Sequence, residues 1–244
     1  MSIEVPFTKA NLDSCLRELA KEFRKRGKGA HAEMIIIGGA SVLINYGFRE
    51  STYDIDAEYD APGVMKECIN AVGDKLGLPV GWINSDFKRT ESFTPKLVQY
   101  SEYYRTYSNV LQIRTIRAEY LIAMKLVSGR KYKKDLSDIV GILYEQQRAG
   151  APLSFEQIDR AVIDLYGNWD KISATSREIL NTALAERDLQ TMFIMQSESE
   201  AEAKEAIKEI ELKYPGAVNQ NNVNDVIAAA IARKNQTGEK KQQS

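Results

Sequence analysis

Histidine and cysteine are nearly absent from this sequence. His31 is the single histidine, and Cys15 and Cys68 are the two cysteines. They make no CxxC pair and no Cys/His cluster, which excludes a zinc site built from those ligands. Both cysteines fall among apolar residues at helical spacing, the pattern of reduced core thiols. Acid–base chemistry in such a chain must draw on carboxylates, lysine or a bound metal. An excess of one charge is lacking too, since 33 Lys and Arg stand against 34 Asp and Glu. That balance leaves only a local basic patch as a route to nucleic acid. No run of about 18 apolar residues occurs, so no membrane span or membrane partner is expected. The first residues lack the apolar core of a signal peptide, which makes the cytoplasm the expected location. There is no internal repeat.

What is present suits a globular protein. The chain has 244 residues, of which 43% are hydrophobic, enough for one large or two small domains. Residues 9 to 28 predict an amphipathic helix with Leu12, Cys15, Leu16, Leu19 and Phe23 on one stripe, closed by Gly27 and Gly29. Met34 to Ile37 is a short apolar run and predicts a buried strand. Gly38-Gly39 breaks it, and Ala40 to Tyr46 predicts a short helix. Tyr53 to Tyr59 alternates, with Asp54, Asp56 and Glu58 on one face and Ile55 and Ala57 on the other. Pro62 opens a helix to Leu76. Gly77 to Asn84 is a loop or short strand. Lys96 to Tyr100 and Val110 to Ile116 are candidate strands around a tyrosine-rich turn.

From Arg117 the periodicity turns helical, with helices expected near 117–128, 134–149, 154–166 and 172–194. Residues 196 to 213 are rich in Glu, Lys and Ala and suit either a solvated helix or a mobile tail. Val223 to Ile231 is a weak helix, and the last ten residues are polar enough for disorder. The expected fold class is α+β: a small mixed sheet with helices on it, followed by a helical C-terminal region. The expected divisions are 1–116, 117–194 and 195–244.

Strand, glycine turn, helix, then a strand with alternating carboxylates is an arrangement suited to a metal-bound nucleoside triphosphate. Two glycines after a buried strand let phosphate approach the backbone. The next helix offers N-terminal amides to anionic oxygens. Asp54 and Asp56 share one side of a strand, and two such carboxylates repel unless a cation sits between them. Magnesium takes one or two carboxylates plus phosphate oxygens, and a pair of ions can serve both the attacking and the leaving oxygen. Each feature alone is more often structural: a Gly-Gly turn is commonly just tight, and an Asp-x-Asp is commonly a solvated edge. Their order and spacing together carry the argument.

Ile37-Gly38-Gly39-Ala40 followed by Asp54-Ile55-Asp56 resembles the signature of the DNA polymerase β-type nucleotidyltransferase superfamily. The gap of 14 residues between Gly39 and Asp54 is slightly long for it. Arg49 to Asp56 resembles the Arg-x-Ser/Thr-x-Asp-Ile-Asp form of bacterial AbiEii-like toxins and related uncharacterised families. Downstream, Lys125-Leu126 with Arg130, then Lys134-Asp135 with Asp138-Ile139, are similar to two further motifs of that group.

The resemblance implies an enzyme moving a nucleotide from an NTP to a hydroxyl. The acceptor could be RNA, such as a tRNA 3′ end, a protein, or a small molecule such as an aminoglycoside. A cognate antitoxin or toxin would be the protein partner. Asp54 and Asp56 would hold Mg²⁺, with two ions possible. Gly38, Gly39, Ser41, Arg49, Thr52 and Arg130 would bind the nucleotide. Lys125 and Asp138 would complete the catalytic set, although a lysine or helix-start aspartate is as often structural.

Members of the superfamily often carry a third carboxylate on a later strand. The strand Val110 to Arg114 offers Gln112 and no acid. Glu58, Asp86 and Asp138 are the substitutes, with Asp138 preferred. That gap also supports a rival reading, a catalytically inactive binding module on the same fold. A third reading has Asp54 and Asp56 as a structural edge in an unrelated fold. The cluster Tyr100, Tyr103, Tyr104 and Tyr107 around Arg105 suits a packed hairpin face better than base stacking. The basic segment Arg130 to Lys134 is the better RNA candidate.

Overall fold

A computed structural model describes residues 6–219 and 222–230. Its elements run α1 (Lys9–Arg26), β1 (Ala32–Ile36), α2 (Gly38–Asn45), β2 (Ile55–Tyr59), α3 (Pro62–Leu76), β3 (Ile83–Asn84), β4 (Ser101–Tyr107) and β5 (Leu111–Ile116). Then follow α4 (Ala118–Ser128), α5 (Asp135–Arg148), α6 (Phe155–Tyr166), α7 (Ala174–Ala185) and α8 (Leu189–Lys213). The five strands form one mixed sheet in the order β3-β2-β1-β5-β4. β1 runs antiparallel to β2 and parallel to β5. The fold is therefore the expected α+β one, a small mixed sheet with helices on it and a helical C-terminal region.

Both faces of the sheet are covered, and β1 shows why its run is apolar throughout. Met34 and Ile36 enter a core with α1 and α3, while Ile35 and Ile37 enter a second core with α4 to α7. A strand buried on both faces has no polar side to present. On β2 the alternation holds: Ile55 and Ala57 enter the α1/α3 core, so Asp56 and Glu58 face the helical side.

Several boundaries differ from the sequence expectation. Pro95 to Tyr100 is a short 3₁₀ helix rather than a strand, because Pro95 opens it and the Thr94 hydroxyl accepts the Lys96 N–H. The tyrosine-rich stretch is itself β4. Its turn to β5 spans Ser108 to Val110, and Ser108 and Asn109 both take a positive φ (50° and 56°). The helix expected over 172–194 is two helices, since Asp188 caps a new one by accepting the Thr191 N–H at 3.0 Å. Residues 196–213 are not a free tail: they continue α8, and Glu200 and Ala203 are buried. Residues 223–230 are helical, and Val223 and Ile227 pack with Ala203 and Tyr132. Ile231 and the last ten residues lie outside the described residues.

The tyrosine cluster packs the hairpin. The Tyr107 hydroxyl donates to Asp13 at 2.7 Å, Arg105 reaches the same carboxylate at 3.0 Å, and the Arg105 guanidinium lies over the Tyr104 and Tyr107 rings. β4 stands three strands from β2, so this cluster is remote from Asp54 and Asp56.

Candidate active site

The glycine turn and the carboxylates meet at the C-terminal end of β1. Gly38 takes a left-handed φ of +60°, open to glycine at little cost. A Cβ there would stand 3.3 Å from Asp56 Oδ2. α2 begins at Gly38, and no side chain caps it. Its first amides therefore open beside the Asp56 carboxylate. At Gly39 a Cβ would meet Arg49 Nη2 at 2.6 Å and Thr52 Oγ1 at 3.2 Å. The second glycine thus makes room for a guanidinium.

The segment between α2 and β2 is held at both ends of its course. Phe7 and Thr52 exchange backbone hydrogen bonds at 2.7 and 2.9 Å, and the Thr52 hydroxyl donates to the Asp54 carbonyl. Phe48 rests on Gly141 of α5, where an added Cβ would come within 2.6 Å of the ring. From that seat Arg49 reaches Asp138, one turn back on α5, in a short ion pair.

Beneath the carboxylates lies a buried charged network. Lys125 is 5% exposed, and Asp135 and Asp138 are each 1% exposed. Lys125 Nζ bonds Asp135 Oδ1 at 2.8 Å and Asp138 Oδ2 at 2.9 Å. Arg130 Nε bonds Asp135 Oδ2 at 2.7 Å, and the Arg130 N–H donates to the same oxygen at 3.3 Å. Burial alone would raise the Asp135 pKa, but Lys125 and Arg130 outweigh it and hold the carboxyl well below its ordinary value. Burial likewise works against the Lys125 charge, and Asp135 and Asp138 reverse that and raise its pKa.

Asp56 shifts the other way. Burial first, and the Asp54 charge second, push its pKa up to about 6. The Phe87 amide and the Lys125 and Arg130 charges pull it back only in part. Asp54 itself is exposed and precedes β2. The pair is thus one exposed and one half-buried oxygen donor, adjacent to uncapped helix amides. The network supplies three cations, Arg49, Lys125 and Arg130, against Asp135 and Asp138. Adding Asp54 and Asp56 leaves the cluster one negative charge in excess. A divalent cation fits such a donor set, whose hard oxygens suit magnesium. Among the described residues no group of three or more His, Cys, Asp or Glu gathers at metal-binding range.

Not every expected residue joins. Ser41 is fully buried and turned to the sheet, its hydroxyl accepting the Ile116 N–H at 3.2 Å. Gln112 is not the position level with Asp56. It lies lower on β5 and donates to Glu33 at 2.9 Å. The β1–β5 register, continued one residue past Ile36 and Thr115, puts Ile116 beside Ile37, whose N–H donates to the Asp56 carbonyl. The place for a third strand acid is therefore Ile116. Of the substitutes, Glu58 pairs with Lys88, Asp86 is exposed beside Arg89, and Asp138 Oδ2 carries both Arg49 and Lys125. Asp138 is engaged as an anchor for cations.

Glu200 is a further residue of this region that the sequence motifs do not mark. This buried α8 carboxylate accepts the Leu136 N–H at 2.9 Å and the Ser137 N–H at 3.3 Å. Its one signal in the sequence is an acid in step with Ala203 and Ile207.

The family model described as nucleotidyltransferase of unknown function (DUF6036) matches residues 14–183, more than half of the chain. The chain belongs to that family. No curated protein and no solved structure matches it significantly. No helix among the described residues is long and apolar enough to cross a membrane.

Proposed function

We propose that this nucleotidyltransferase-family chain is an enzyme that moves a nucleotide from an NTP to an acceptor hydroxyl, with Asp54 and Asp56 as its metal ligands. The observation that carries this reading is the meeting of Asp56, the Gly38-Gly39 turn and the open N-terminus of α2. Mg²⁺ held by Asp54 and Asp56 would neutralise triphosphate charge. The amides of Gly38 and Gly39 would donate to phosphate oxygens at the helix N-terminus. Arg49 and Arg130 flank that place, each steadied by an aspartate. Lys125 acts from below as a fixed charge and aligns Asp135 with Asp138. The protein's contribution is mostly position and charge.

Support for an RNA acceptor comes from the rim. Lys131, Lys133 and Lys134 follow Arg130 and make no ion pair among the described residues. Tyr53, next to Asp54, is 52% exposed. Such a rim suits a phosphate backbone with a base to stack. A protein hydroxyl is the second acceptor class. The likeness of Arg49 to Asp56 to the toxin motif adds a growth-inhibiting role with a cognate antitoxin.

One observation favours a rival. With Ile116 where a third acid would stand, the same fold would serve as a binding module without turnover. The test is incubation of the protein with Mg²⁺, each α-labelled NTP in turn, and total RNA or cell lysate. Label in RNA or protein that disappears with Asp56→Ala supports the enzyme. A folded protein that binds magnesium–NTP yet labels neither RNA nor lysate protein supports the binding module.

A further inference from the structure

α5 begins without a cap of its own. Lys134 precedes it and makes no side-chain cap bond, so the first-turn amides need an acceptor from elsewhere. Glu200 provides it from α8. Its carboxylate, 4% exposed, takes the Leu136 and Ser137 N–H groups, with a second contact to Ser137 at 3.4 Å. That turn carries both Asp135 and Asp138, the two anions that hold Lys125, Arg130 and Arg49. The position is a costly one for an acid: burial, with Asp138 adding to it, pushes Glu200 up to about 7 although the Ser137 hydroxyl and both amides oppose the shift. α8 then continues past the mouth of the site, where Lys204 Nζ lies 5.5 Å from the Tyr53 ring centre.

We propose that Glu200 is a positioning residue of the candidate site. It fixes the first turn of α5, and through Asp135 and Asp138 it sets Arg49, Lys125 and Arg130 around Asp56. The inference rests on the nucleotidyltransferase reading for its consequence and on the α5–α8 contact for its mechanism. The C-terminal helix thereby belongs to the site as well as to the core.

The experiment compares Glu200→Ala, Glu200→Gln and Val162→Ala, the last a core change on α6 that controls for general loss of stability. The probe is Mn²⁺ with the non-transferable analogue α,β-methylene-ATP, its affinity read by electron paramagnetic resonance below every melting temperature. Hydrogen exchange is followed on the same samples. Glu200→Ala is expected to weaken the probe about tenfold, the scale of losing an outer-shell partner. Glu200→Gln, which keeps an oxygen acceptor, is expected within about threefold of wild type, and Val162→Ala is expected to bind as wild type. Exchange should rise in Glu200→Ala at residues 134–139 and 47–54. Wild-type affinity in Glu200→Ala, a Gln variant as weak as the Ala variant, or exchange changes confined to α8 would overturn the proposal. If the wild type binds no Mn²⁺–nucleotide, the enzyme reading fails, and the exchange pattern alone decides. Joint loosening of 134–139 and 47–54 supports Glu200, whereas an even rise along the chain overturns it. Should Glu200→Ala not fold, Glu200→Asp takes its place with the same expectations.

Discussion

Asp56 concentrates the physical chemistry of the site. Its folded pKa of about 6 lies above the ordinary 3.8, so the fold disfavours its ionised form. That penalty is full above about pH 6 and gone below the ordinary value. Asp56→Asn is therefore expected to raise the melting temperature at pH 8 without metal, and the gain should vanish by about pH 3.5. Added Mg²⁺ should stabilise wild type and leave the variant unmoved. Thermal denaturation across pH reads both, and a variant less stable than wild type at pH 8 would sink the assignment.

Asp138 makes the opposite case. Its loss leaves the partly buried Arg49 without its carboxylate and takes from buried Lys125 one of its two carboxylate partners, and breaking a buried pair costs about 3–5 kcal/mol. Urea denaturation of Asp138→Ala should show that loss, and Lys125→Met added to it should restore part. Asp54 and Asp56 were legible from the strand alternation, and Arg49, Lys125, Arg130 and Asp138 from the resemblance of their segments to family motifs. The structure brings Arg49, Lys125, Arg130 and Asp138 into one ion-pair network, with Asp56 in reach of the Lys125, Arg130 and Asp54 charges. Ser41 and Glu200 were not legible, because hydroxyl and carboxylate find partners 75 and 64 residues away.

Elements are positioned by small residues at their crossings. Gly141 sits inside α5, where glycine costs roughly 1 kcal/mol relative to alanine. Its use becomes clear only with Phe48 lying against it, and Phe48 in turn stacks on Tyr46 and meets Phe193 edge-on. Gly141→Ala gains helix propensity yet meets the ring at 2.6 Å. The expected net result is a shifted 47–54 segment, a weaker Arg49–Asp138 pair and about tenfold weaker nucleotide binding, near 1.4 kcal/mol. Calorimetric titration with magnesium–ATP would show it, and unchanged affinity would mean that the seat is not needed. Element types followed from periodicity, as in α1, α3 and β1. The β4 boundary did not, because Pro95 and Thr94 wind Lys96 to Tyr100 into a 3₁₀ turn and pass the strand role to the tyrosines. The split of α7 from α8 was hidden likewise, since Asp188 looks like any surface acid until its oxygen meets the Thr191 amide.

At the scale of the molecule, one sheet separates two cores and brings β1, β2 and α2 together at the C-terminal end of its central strand, on the side covered by the helical region. The alternation on β2 foretold that Asp56 would face away from the α1/α3 core. Nothing in a single sequence foretold which helices would cover it, or that α8 would reach back to cap α5. The activity proposed for this junction is nucleotidyl transfer. Its most direct measurement uses ATP labelled at the α-phosphate in one tube and at the γ-phosphate in another, with Mg²⁺ and the acceptor fraction that takes up label. Nucleotidyl transfer leaves α-label on the acceptor and releases γ-label as pyrophosphate, and both are lost with Asp56→Ala. γ-label on the acceptor, or orthophosphate released without pyrophosphate, would contradict it.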